Sequence, residues 1–272
     1  MSASRAFVRC AATCVLLAAS LPAQTLPSSA IQGLLPPDTK IIETANLKLG
    51  PGKARALVLW MEHPERVVLR DDPGSTCVRQ VYGDHWAGPT RLSLVDLAKS
   101  TLVNTLEVRS FYEQPNDLGN FSSAKPGVFE IPFLVPNYHY RVPRPDAKRE
   151  GKPSIMMLRD LTGEGVAGQF VLFDYVNCGG AAGSVVGYGP RSERAVQYAV
   201  EIIKGEDKAK TELWAEQIFE KRPIRPGQWD FTWEPGHGFD GWIHEHVSFD
   251  RGRQLFVDKQ KVTSYPDAVP RK

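Results

Sequence analysis

The chain has 272 residues, with 33 Lys and Arg against 31 Asp and Glu, 42% hydrophobic and 24% charged residues. That is the composition of an ordinary globular protein. The near balance of charge argues against nucleic acid or an anionic membrane surface as the main partner.

The first stretch reads as a targeting segment. Arg5 and Arg9 precede the apolar run Cys10 to Leu21, and Ala18-Ala19-Ser20 or Leu21-Pro22-Ala23 offers a small-residue cleavage site. The run is too short to span a bilayer, and no other stretch is long and apolar enough to cross one. The expectation is a signal peptide over residues 1–23 and an exported protein, periplasmic or extracellular, with no transmembrane segment after cleavage. Those residues hold two Arg and no acid, which leaves 31 charges of each sign. Two cysteines then remain, Cys77 and Cys178, and in an exported chain such a pair is expected to form a disulfide. Two unrelated buried thiols are the alternative. If bonded, the pair closes a long loop worth up to about 4–5 kcal/mol.

Residues 24–40 are Pro- and Ser-rich and read as a flexible leader. From Ile41 to about residue 265 the pattern is that of a single β-rich domain. Ala56 to Met61 is a continuous apolar run, as expected of a strand buried on both faces. Val67-Val68-Leu69 is a shorter one. Thr90 to Val95 and Leu102 to Val108 predict a hairpin around Asp96–Ser100. Phe129 to Val135 carries Pro132 and ends at Pro136, and reads as an edge or a broken strand. The charged, proline-broken segment 141–152 predicts an exposed loop.

Pro153 to Cys178 holds two apolar runs, Ile155–Leu158 and Phe170–Phe173, around a Gly- and acid-rich loop, and predicts two strands and a turn. Val185–Tyr188 and Ala195–Ile203 predict another pair around Gly189-Pro190. One helix is expected at Asp207 to Lys221, where Leu213, Trp214, Gln217 and Ile218 share a face. Trp229, Phe231 and Trp233 alternate with polar residues and mark a half-buried strand. Trp242–Phe249 and Arg253–Lys261 predict a terminal hairpin around Asp250-Arg251-Gly252. No regular repeat links these elements. The fold expected is all-β, sandwich-like antiparallel sheets with one short helix, and a degenerate β-propeller is the alternative.

The loop Asp160-Leu161-Thr162-Gly163-Glu164-Gly165 resembles the acidic, glycine-bearing loops of secreted repeat proteins of the FG-GAP and VCBS kind. The resemblance implies calcium held by Asp160, Thr162 and Glu164, since Ca²⁺ takes six to eight hard oxygens. This chain departs from the pattern. Thr162 is neutral, Gly168 stands where a further Asp is usual and Val171 where an EF-hand places Glu, so calcium binding is expected to be weak or absent. The plainer reading is a metal-free turn in which Asp160 bonds nearby backbone N–H groups.

Three histidines cluster, His237, His244 and His246. Strand alternation puts His244 and His246 on one face, and Ile243, Val247 and Phe249 on the other. If the Asp250–Gly252 loop pairs Phe249 with Arg253, Asp258 falls opposite His244. Two or three His and one Asp suit Zn²⁺ or another divalent metal. A solvated polar sheet face is the plainer reading. No Gly-x-Ser-x-Gly elbow and no phosphate-binding glycine loop is present. Trp60, Trp86 and Trp242 are candidates for stacking on sugars. The function expected is a non-enzymatic binding module for protein or glycan, with a metal-dependent hydrolase using the C-terminal histidines as the alternative. Possible cofactors are accordingly Ca or Zn.

Overall fold

The computed structural model describes residues 27–67, 81–109, 128–133, 155–177, 180–211, 214–215, 222–234 and 240–264. Three sheets make up the fold. The first joins β1 (Thr39–Lys48), β2 (Ala54–Glu62), β4 (Val81–Asp96) and β3 (Glu65–Val67), with β5 (Thr101–Glu107) and β6 (Val128–Phe133) also pairing β4. A second holds β7 (Gln169–Asn177), β8 (Gly180–Gly189), β9 (Arg194–Gln197) and the two-residue β12 (Trp214–Ala215). The C-terminal sheet runs β11-β10-β15-β14-β13, from β10 (Val200–Lys204), β11 (Asp207–Thr211), β13 (Gln228–Trp233), β14 (Gly241–Asp250) and β15 (Leu255–Ser264). Pairing is antiparallel except between β10 and β15. Sheets of six, five and four strands are not repeated blades, and the architecture is the all-β, sandwich-like one.

The apolar run of β2 shows why the layers form. Leu57, Leu59 and Met61 face the main core, which all three sheets share through Leu92, Leu94, Phe170, Leu172, Val185, Val247 and Phe256. Ala56, Val58 and Trp60 point the other way, into a second cluster. Burying each large side chain of this kind contributes about 1.5–3 kcal/mol. Trp60 satisfies its indole N–H on the Ser93 hydroxyl, 2.9 Å away, inside that layer. Between β4 and β5 the expected hairpin forms, closed by the Asp96 carboxylate, which accepts from the backbone N–H groups of Ala98 and Lys99.

Four expectations need correction. Residues 27–40 are not loose throughout: α1 (Ser28–Gln32) is the one short helix described, and its Ile31, with Leu35, caps the second cluster over β2. Residues 155–158 are no strand. Ile155 and Met156 are both buried, consecutive i→i+2 backbone bonds curl the segment, and only an Arg159–Gln169 bridge meets β7. Residues 195–203 divide between two sheets, β9 beside β8 and β10 beside β15. Residues 207–211 form β11 rather than a helix, because Gly205 (φ +64°) turns the chain tightly and pairs Lys204 with Asp207. The expected loop at 141–152 lies outside the described residues. No described helix is long and apolar enough to cross a membrane.

Candidate functional site on the C-terminal sheet

The terminal hairpin forms, but in a different register. Its loop has four residues, Arg251 to Gln254, and pairs Asp250 with Leu255 and Phe249 with Phe256. Asp250 accounts for this: its carboxylate accepts from the N–H groups of Gly252 and Arg253, and Gln254 takes the left-handed conformation and donates its N–H to the Asp250 carbonyl. The shift is an odd number of residues, so β15 presents the opposite face. Asp258 lies opposite Val247, and His244 lies opposite Lys261. The expected convergence of His244, His246 and Asp258 therefore fails. His237 lies outside the described residues, and among those described no three His, Cys, Asp or Glu are placed to hold a metal ion.

On the outer face the histidines are built into a polar lattice. His244 is bonded at both ring nitrogens, Nδ1 to the Thr232 hydroxyl of β13 (2.8 Å) and Nε2 to the Thr263 hydroxyl of β15 (2.9 Å). His246 donates from Nδ1 to Asp230, while Gln228, itself bonded to Arg225, approaches Nε2 at 3.5 Å. Trp242, 39% exposed, continues the row on β14 and stands opposite Thr263. Trp60 is buried and Trp86 lies under the Lys40 ammonium, 4.1 Å from the ring centroid. Of the three tryptophans proposed for stacking, Trp242 is thus the one open to solvent.

The inner face carries a pair that sequence reasoning did not assemble. Glu245 and Asp258 are 6% and 1% exposed and are neighbours on the core face of β14 and β15. The Trp233 indole N–H donates to Glu245 at 2.6 Å, and the Gln260 carboxamide donates to Asp258 at 2.9 Å. Burial, and then the neighbouring Asp258, push the Glu245 carboxyl up from 4.5 to about 7, against the pull of the indole. A buried carboxyl beside a second carboxyl holds its proton to higher pH than a solvated one. The sequence signal was Glu245 itself, a carboxylate in the apolar alternation Ile243, Val247, Phe249; its partner needed the observed register.

The Asp160 loop turns its oxygens inward. Asp160 accepts from the backbone N–H groups of Gly163 (2.8 Å), Glu164 (3.2 Å) and Gly165 (2.9 Å), and Thr162 leans on the same carboxylate. Glu164 accepts from Arg191 (3.1 Å) and Gln254 (3.2 Å). Arg251 donates to the Gly163 carbonyl. Gly163 (φ +71°) and Gly227 (φ +80°) meet so closely that a Cβ on either would fall within 2.4–2.6 Å of the facing carbonyl oxygen. The loop is a clasp between the β8–β9 turn, the 225–228 turn and the terminal hairpin. Cys77 and Cys178 lie outside the described residues.

Comparison of the chain with protein families, with characterised proteins and with solved structures found no match.

Proposed function

We propose that the chain is an exported, non-enzymatic β-rich binding module, and that the outer face of its C-terminal sheet takes a glycan. The observation that carries this reading is Trp242, exposed beside the Thr232–His244–Thr263 lattice. An exposed indole offers a flat apolar surface for a sugar ring, and the adjoining hydroxyls and imidazole match its hydroxyl groups. The lattice is fixed by side-chain bonds across three strands, so little order has to be gained on binding. The carboxyl pair on the inner face is buried away from solvent, which favours binding on the outer face over turnover at these groups. Export is supported by the charged and apolar pattern of residues 1–23.

Affinity electrophoresis in gels cast with individual polysaccharides tests the reading. The expected result is retardation by at least one glycan, with Trp242→Ala weakening it at least about tenfold while the melting midpoint stays within a few degrees. Equal retardation of the wild type and Trp242→Ala, or none in any gel, would remove the glycan reading. Capture of a protein ligand on the same face, abolished by Trp242→Ala, would move it to a protein partner.

A further inference from the structure

We infer that the glycan is acidic, a polyuronate or other carboxylate- or sulfate-bearing polysaccharide, held along a diagonal band of four lysines on the same outer face. This rests on the glycan reading above and adds the ligand's charge.

The band follows from strand register. On β11, Lys208 pairs Ile203 of β10, and Ile203 pairs Lys259 of β15. Lys208 and Lys259 therefore share a row and a face, two strand spacings or about 10 Å apart. Lys210 stands two residues along β11 on one side of that row, and Lys261 two residues along β15 on the other, each step being about 7 Å. All four are exposed. The band ends at the lattice, since Lys261 is the partner of His244 and lies two residues from Thr263, which faces Trp242.

The acids nearest the band are engaged by other groups. Glu201, the acid nearest the band, is paired with Arg253 at 2.9 Å, and Arg253 also holds Asp250 at 2.8 Å. Asp230 is paired with His246. Among the described residues, none of the four lysines has an ion-pair partner. Mutual repulsion of four like charges at this spacing is relieved by a linear ligand that presents its own anions along the diagonal. The chain as a whole is close to neutral, so the local row of lysines, and not net charge, is what would draw an anionic ligand here. That favours a ligand docked on the sheet over a nucleic acid or membrane drawn by net charge.

The test compares the full mature chain in gels containing a polyuronate or a neutral glucan. Four proteins are run: wild type, Trp242→Ala, the combined Lys208→Gln, Lys210→Gln, Lys259→Gln, Lys261→Gln variant, and Lys259→Gln/Lys261→Gln as a milder form. The inference predicts retardation by the polyuronate that weakens with added salt and falls at least about tenfold in either lysine variant. Neutral glucan that retards all forms alike, with Trp242→Ala abolishing the effect, would overturn the acidic inference and leave the glycan reading standing. Polyuronate binding lost with the lysines but untouched by Trp242→Ala would remove the Trp242-centred glycan reading, and with it the inference that rests on it. Equal binding of anionic vesicles or duplex DNA would overturn the inference in favour of a general polyanion surface.

Discussion

Replacing Glu245 with Gln removes the inner-face titration while keeping the side chain's shape and an acceptor for the Trp233 indole. In the folded chain Glu245 is pushed from 4.5 up to about 7, by burial first and Asp258 second. A carboxyl whose folded value is raised binds its proton more tightly folded than unfolded. Its stabilising contribution is therefore complete below pH 4.5 and is lost as the pH rises to about 7. A shift of this size is worth about 3 kcal/mol across that window. For a domain of this length that is a melting shift of about 6–12 °C. Other carboxylates stabilise in the opposite direction, so the quantity to follow is the difference between wild type and Glu245→Gln. Thermal or urea melts from about pH 4.5 to pH 8.5 should show the variant gaining on the wild type as pH rises, and a constant gap above about pH 7.5. Parallel stability curves for the two proteins would refute the reasoning, because they would mean that the carboxyl pair is solvated or already fully ionised.

Further outcomes concern the Asp160 clasp, the second cluster, the outer face and the cysteines. Asp160→Ala leaves three backbone N–H groups without their acceptor and should cost about 2–3 kcal/mol in urea melts, while calcium and chelator should give the wild type equal melting midpoints. Gly227→Ala forces a side chain into a left-handed position 2.6 Å from the Thr162 carbonyl oxygen and should destabilise by more than about 2 kcal/mol. Ile31→Ala opens the cluster under α1 and should cost about 2–4 kcal/mol, whereas His244→Ala, on the outer face, should change stability by less than about 1 kcal/mol. Thiol titration of the denatured, unreduced mature protein should find no free thiol if Cys77 and Cys178 are joined as proposed.

The strands most legible in the sequence were those whose pattern is set by local alternation. β2 announced its two buried faces by an unbroken apolar run, and β13 by Trp229, Phe231 and Trp233. The same alternation placed His244 and His246 on one face of β14 and Glu245 on the other. What failed was pairing. The Asp250 side chain captures two N–H groups and lengthens the turn to four residues, and that change alone moves Asp258 from the histidine face to the core. Over 207–211 the expected helix lost to the glycine turn at Gly205, whose signal lies outside the apolar periodicity used to find helices. The curl at 155–158 is set by burial of adjacent residues, which alternation does not encode. Among the described members of the metal set, His244, His246 and Asp258 form no cluster, and the carboxyl pair emerged only with the register.

An NMR titration with a polyuronate oligosaccharide tests the central claim, that the outer face of the C-terminal sheet is the ligand surface, most directly. The account predicts that the Trp242 indole resonance and the amides of Thr232, His244, Lys259, Lys261 and Thr263 shift together and saturate at one ligand concentration. Shifts confined to the Asp160–Gly165 clasp or to β1 and β2, or a spectrum unchanged at millimolar ligand, would contradict it.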